Sequence, residues 1–410
     1  MGYRIEVRDK NLKRIGVIDT WIQLDMVVQF CDQGSWKLLI KAGTPQAELL
    51  QRGGGVAIYQ DGVSKPVLTG QIEDFQKYWT VEQHSGVGSL YVGGKTDNKL
   101  AYSRLAFPAP TFSVSQQYSA TVDTRLVTAP ASSLIWDEVN WSLGPGALTN
   151  RRVSGLTVGT KPTFGDNKSD SLRYDNVGEK LSAWCADKKT GWQLLYNPNT
   201  KSIGLDVFQP RDLSKKIRFS PDLGNLREFI WTLSAPTATR AVVACQGEGK
   251  GRYLYQKIDS ALEAEWGLQI ETFIDRRDLP LVTNPSTGAP AKASIEVTDD
   301  EFNSAVAAVE EAATTALSEG TGNGNFQIYP IDTPQVQFGR DYFVGDIVTV
   351  MVDGTEYSDM VREVSITVDD GGNAVSVSPK IGEQGNGDPL NLYKTVFEMR
   401  EKLRKLERRM

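Results

Sequence analysis

The sequence predicts a mainly β protein with a mixed α+β insert, and three observations carry that prediction. Residues 1–110 and about 326–385 alternate polar and apolar positions between short turn signals, the period-two pattern of half-buried strands. Residues 111–325 between them mix capped helical patterns with further strands. After a short linker the chain closes on a heptad-spaced segment at 386–410. At 410 residues it exceeds what one core sustains, so two to four domains are expected.

In the first stretch RIEV alternates and Lys10-Asn11 marks a turn. WIQLDMVVQF follows, then the turn Asp32-Gln33-Gly34-Ser35, then WKLLIKA. GGGVAIYQDG is a strand ending in an Asp-Gly turn, a strong hairpin signal. VLTGQIEDFQK reads as one further strand, and LYVGGKTDNKLAYSRLAFPAP closes the unit with a proline-rich exit. Short strands without a long helix predict a small β-barrel or sandwich.

The middle region is expected to break near residue 170. In TAPASSLIWDEVNWSLG a helix is predicted with Thr128 as its cap and Pro130 in its first turn. Asn176 and Glu179 predict a capping box, opening a helix whose Val177, Leu181, Trp184 and Cys185 share one face. WQLLY and SIGLDVF, on either side of Asn197-Pro198-Asn199, predict a hairpin. The clearest helix is TDDEFNSAVAAVEEAATTALSEG, with a Thr298/Glu301 capping box and Gly320 placed past its end. The glycine-rich GTGNGN leads into the last β unit, with strands FQIYPID, DIVTVMVD, YSDMVREVSITVD and NAVSVSPKIG.

In the final segment Leu392, Val396, Met399, Leu403, Leu406 and Met410 are spaced 4, 3, 4, 3, 4, the seam of a coiled coil. With the seam read as alternating d and a positions, Lys402 falls at g and Glu407 at the following e. A parallel oligomer brings those two together between chains. The seam's leucines and methionines do not choose between two strands and three, and a single amphipathic helix docked on its own body is the other reading.

Composition narrows the function. Hydrophobic residues at 40% and charged residues at 23% are ordinary for a globular protein. No apolar run approaches the roughly 20 residues of a membrane span. The start, MGYRIEVRDKN, lacks an apolar signal core, and Glu6 stands where a myristoylation signal has Ser or Thr, so folding in the cytoplasm is expected. The net charge of −6 argues against a general nucleic-acid binder, though not against a channel that nucleic acid passes through.

Cys31, Cys185 and Cys245 lie far apart and predict buried, reduced thiols rather than a metal site or disulfide framework. His84, in the glycine-flanked loop EQHSGVG, is the one histidine, so it is the one imidazole available to a nucleophilic triad, and the loop offers it no evident partner. The glycines of QGEGKGR and GGG at 53–55 predict turns rather than phosphate cradles, because no helix N-terminus follows them. Asp299, Asp300 and Glu301 fit a helix start, and Asp369-Asp370 a hairpin turn. Trp136, Trp141 and Tyr118 suit sugar binding or, more simply, a core. No catalytic residue, cofactor or metal is assigned.

The order of these segments resembles the minor tail proteins of siphophages, especially those of actinobacteria, that form the baseplate hub. It rests on VRDKNLKRIGVIDTW…FCDQGSWKLLI, GGKTDNKLAYSRLAFPAP, FQPRDLSKKIRFSPDLGNL, EWGLQIETFIDRRD and FGRDYFVGDIVTVMVDGTEYSDMVREVSITV…PKIG. The stretch at about 111–160 matches least. The resemblance implies two tail-tube-like β-barrels, 1–110 and 326–385, flanking the α+β middle. It further implies a homotrimer that caps the tail tube, adapts sixfold to threefold symmetry and opens for DNA ejection. Its implied partners are the distal tail ring protein, the tape measure protein and other tail-tip or fibre proteins, with genomic DNA only in transit. Two other classes are kept: a tail enzyme that degrades cell wall or carbohydrate through paired carboxylates, and a receptor- or sugar-binding module.

Overall fold

The computed structural model describes residues 2–80, 87–119, 123–233, 235–320, 324–330, 333, 335–352, 354–372 and 374–382. The N-terminal stretch supplies strands β1 (Tyr3–Arg8), β2 (Arg14–Ile18), β3 (Gln23–Gln29) and β4 (Ser35–Lys41), then the short helix α1 (Pro45–Glu48). β5 (Gly55–Gln60), β6 (Leu68–Gln71), β7 (Asp74–Tyr78), β8 (Ser89–Lys95) and helix α2 (Lys99–Tyr102) follow. The Lys10-Asn11 turn closes on Asp9, whose carboxylate accepts from the Asn11 and Lys13 amides at 2.9 and 2.8 Å. The strand predicted in VLTGQIEDFQK is two strands, β6 and β7. They lie in different sheets, and the chain crosses between them at Ile72 and Glu73, whose amides bond Gly54 O and Gly93 O.

The middle region contains β9 (Arg125–Pro130), α3 (Ala131–Ser142), β10 (Leu156–Thr157), β11 (Asn167–Leu172), α4 (Val177–Trp184), β12 (Gly191–Asn197) and β13 (Ser202–Phe208). Next come β14 (Arg218–Phe219), β15 (Leu226–Leu233), β16 (Arg240–Ala244), β17 (Leu254–Ile258), α5 (Ser260–Trp266), β18 (Glu271–Asp275), β19 (Leu281–Thr283), β20 (Pro290–Lys292) and α6 (Asp299–Gly320). The predicted Asn197-Pro198-Asn199 hairpin is β12–β13.

Two helix starts follow the predicted capping chemistry. Asn176 accepts from the Glu179 amide at 3.3 Å, and Thr298 and Glu301 bond each other's amides at 2.8 and 3.2 Å. The cap predicted for α3 does not form. Thr128 lies in β9, paired with Ser169 of β11, and the first α3 amides bond Asp166 O and Phe164 O instead. Gly320 ends α6 rather than following it. A Cβ there would stand 2.6 Å from that of Ala238, so glycine is required by close packing.

The C-terminal β unit is β21 (Gly324–Pro330), β22 (Ile347–Val352), β23 (Thr355–Val368) and β24 (Ala374–Gly382). Two separate barrels were expected here and at the N-terminus. Among the described residues no closed barrel forms, and the two stretches share one ten-stranded sheet, whose antiparallel main path is β15-β21-β24-β23-β3-β4-β8-β7, with β22 branching from β23 and β14 pairing parallel to β22. The junction is β3 on β23, from Glu363↔Gln29 to Val368↔Leu24. A smaller sheet, β2-β1-β5-β6, brings Ile5, Val7, Val56 and Ile58 into one core with Leu24, Trp36 and Leu38 of the large sheet and Val364 and Ile366 of β23. Period two sets which face each strand buries, but it does not name the strand's partner.

Two further cores lie in the middle region. One packs α3 and α4 on β12 and β13, with Val177, Leu181, Trp184 and Cys185 all inside, the face predicted from their spacing. The other lays Ala305, Ala308, Val309, Ala313 and Leu317 of α6 on Ala241 and Val243 of β16.

Candidate functional site

The predicted oligomerisation seam, Leu392, Val396, Met399, Leu403, Leu406 and Met410, lies outside the described residues, as do His84 and the side chain of Tyr118. The other sequence candidates have local structural partners. Trp136 donates through Nε1 to Val158 O at 2.8 Å, and the Lys161 ammonium sits 5.9 Å from its ring centre. Trp141 has the Arg125 guanidinium 5.1 Å from its ring. QGEGKGR is the hairpin connection between β16 and β17. Asp369-Asp370 turns β23 into β24, where Trp21 Nε1 donates to Asp369 O at 2.8 Å. Among the described residues no three His, Cys, Asp or Glu side chains gather in a way that could hold a metal ion. No described helix is long and apolar enough to cross a membrane.

All three cysteines are buried. Burial pushes the Cys245 thiol up to about 11 and the Cys185 thiol well above its ordinary value. Because the thiolate is the reactive form and burial keeps the reagent from all three sulfurs, native protein at pH 8 is expected to resist alkylation by iodoacetamide at all three positions. Full labelling should require denaturant. Mass spectrometry of trypsin digests made with and without urea checks this, and rapid native labelling of any of the three would contradict it.

Sequence reasoning missed the polar contacts that join the units. Arg8 of β1 is 2% exposed and pairs at 2.5 Å with Asp97, which has no exposed surface. Thr69 of β6 donates to the other Asp97 oxygen at 2.7 Å, and its Oγ1 accepts from the Tyr196 amide of β12 at 3.1 Å. The Arg8 guanidinium stacks 4.7 Å from the Tyr196 ring. Asn98 accepts from the Leu194 amide at 2.7 Å and donates to Asp32 O at 2.9 Å. Gly55 lies beneath Arg8, where any Cβ would strike the guanidinium. An arginine and an aspartate so far apart in sequence give no local signal of pairing.

A second network ties β11 to the loop after β18. Arg276 reaches Asp278 at 3.0 Å and Ser171 Oγ at 2.5 Å, and Ser171 donates to the same Asp278 carboxylate. Burial raises the Asp278 carboxyl, but the Arg276 hydrogen bond and charge, with Ser171, more than offset it and hold it below its ordinary value.

A cleft of about 360 Å³ opens where the first, middle and last stretches meet. Phe208, Phe338 and Phe343 line it, together with two ion pairs. Lys65 meets Asp206 at 2.9 Å, and Arg211 holds Asp346 through two bonds of 2.8 and 2.5 Å. The charged groups of this cleft neutralise one another, and none of its described lining residues is a Ser, Thr, Cys or His that could act as nucleophile or as the imidazole base beside one. The geometry is that of packed junctions between chain segments.

A family model described as "Siphovirus ReqiPepy6 Gp37-like protein" matches residues 4–383. No curated protein matches the sequence. Among solved structures, the chain is similar to the 43 kDa tail protein of prophage MuSo2 from Shewanella oneidensis, with a TM-score of 0.53 at 10% identity, covering 93% of this chain and 98% of that one. It is equally similar to the tail protein from Neisseria meningitidis MC58, with a TM-score of 0.53 at 12% identity, covering 94% and 98%. At such identities the likeness is one of fold.

Proposed function

The chain belongs to the siphovirus ReqiPepy6 Gp37-like protein family, and from that premise we propose that it is a structural subunit of a phage tail, a threefold hub at the tail tip. In this reading three copies cap the tail tube, adapt its sixfold symmetry to threefold, and open to let genomic DNA leave. Its neighbours would be the distal tail ring protein, the tape measure protein and tip or fibre proteins. The fold likeness to two prophage tail proteins supports a tail component. The observation that carries the hub is the side-by-side placement of the N-terminal and C-terminal β stretches, joined through β3 and β23. A trimer would then offer six such β units to a sixfold ring. Electron microscopy of virions labelled with antibody to this chain tests the reading. Label at the tail tip is expected, and label along the tube or on the capsid would refute it.

The heptad seam from Leu392 to Met410 is the proposed trimerisation stalk. Each leucine it buries contributes roughly 1.5–3 kcal/mol, whereas an exposed Lys402–Glu407 pair adds at most about 1 kcal/mol. The apolar seam therefore dominates, and the charges select orientation. Leu403→Asp with Leu406→Asp is expected to weaken the trimer, with assembly recovered at high protein concentration through contacts between the β units. Sedimentation over a range of concentrations reads this out. An unchanged oligomer would mean that the segment docks on its own subunit.

A further inference from the structure

Among the described residues the main path of the large sheet ends in the outer edges of β7 and β15, while a side branch through β22 ends at the two-residue β14. The β7 edge is unusually bare. All five of its residues are exposed, its register with β8 runs unbroken from Asp74↔Gly93 to Tyr78↔Ser89, and it has neither proline nor bulge. Natural edge strands normally carry such interruptions because an open edge pairs readily with another chain. Lys77 is its one positive charge.

A row of core side chains also runs out at this edge. Val368, Leu24, Leu38 and Val92 lie opposite one another on four successive strands, each fully buried, and the next position is Phe75 at 39% exposure. Tyr78, exposed at 60%, stands three residues further along the strand.

We propose that β7 of one copy pairs with β15 of the next, so that the sheet continues from subunit to subunit around a ring. The proposal rests on the trimeric reading above and names the surfaces that build it. Every neighbouring pair along the path from β15 to β7 is antiparallel, and the path holds eight strands, so its two edges run in opposite directions. Rotation about an axis along the strands therefore sets the two edges antiparallel and continues the same ladder. A threefold ring also requires two different patches, since identical patches pair around a twofold axis. β7 and β15 are such a pair. Asp74 and Lys77 on one edge face exposed Arg227 and Glu228 on the other, one charge of each sign on both, so the edges do not repel.

Cysteine crosslinking tests the pairing against a silent background, because the native cysteines are buried. Asp74→Cys, Gln76→Cys and Tyr78→Cys are each combined with Glu228→Cys and oxidised. At least one combination is expected to give covalent dimers and trimers on non-reducing gels, while each single variant gives none. Crosslinking of a β7 variant to itself would overturn the proposal in favour of a twofold contact. A trimer in sedimentation with no crosslink from any combination would overturn the edge pairing and leave the trimer standing. A monomer at all concentrations would remove the trimer as well. As a second measurement, Phe75→Lys with Tyr78→Lys should weaken self-association at least about tenfold, a change of about 1.4 kcal/mol, with an unchanged circular dichroism spectrum. Undiminished association of that variant would count against the edge.

Discussion

Replacing Asp97 by Ala is expected to destabilise the folded chain by about 3–5 kcal/mol, the range for removing one member of a buried ion pair. Asp97 is wholly enclosed and holds Arg8 at 2.5 Å with one oxygen and the Thr69 hydroxyl with the other. Without it the Arg8 guanidinium stays buried beneath Tyr196 with no carboxylate. The same deletion releases Thr69, whose Oγ1 accepts from the Tyr196 amide. The loss should therefore exceed that of any exposed pair, such as Lys65 with Asp206, where about 0–1 kcal/mol is expected. The double variant Arg8→Met with Asp97→Leu removes both charges and should recover a large share of the stability, because desolvation offsets much of a buried pair's attraction. Urea denaturation of the three proteins measures all of this. If Asp97→Ala unfolds with the midpoint of the wild type, the buried pair does not stabilise the fold.

Trp192→Ala should cost about as much, roughly 3–5 kcal/mol, by a different route. Trp192 lies in β12 at 1% exposure, in the core that α3 and α4 build on β12 and β13. Its removal leaves a void that the surrounding strands and helices fill only in part. Among the described residues the buried indole Nε1 has no hydrogen-bond partner, so Trp192→Phe keeps most of the packing and forfeits no hydrogen bond within them. That variant should lose much less stability. Thermal melts of the two variants separate volume from polarity. Equal losses would mean that the indole nitrogen, not the ring's bulk, stabilises the site.

Much of the local structure was legible because it is governed by near neighbours in the chain. Asn176 with Glu179 and Thr298 with Glu301 start helices because an amide three residues on lies within reach of a short polar side chain. The spacing of Val177, Leu181 and Trp184 shows which face α4 buries, and the alternation in WKLLIKA shows that Trp36, Leu38 and Ile40 turn inward. Thr128 misled because it satisfies the same capping rule, yet pairing of β9 with β11 claims it first.

The sequence alone determined the two β stretches, the α+β insert, the burial of the cysteines and the glycine hairpin after β16, each a consequence of periodicity or of turn chemistry. Only the tertiary structure decided that β3 meets β23, that VLTGQIEDFQK divides between two sheets, and that Arg8 finds Asp97 under Tyr196. Those contacts join residues remote in sequence. A strand offers the same hydrogen-bonding edge to any partner, and the choice depends on how complete apolar faces and buried charges are satisfied together.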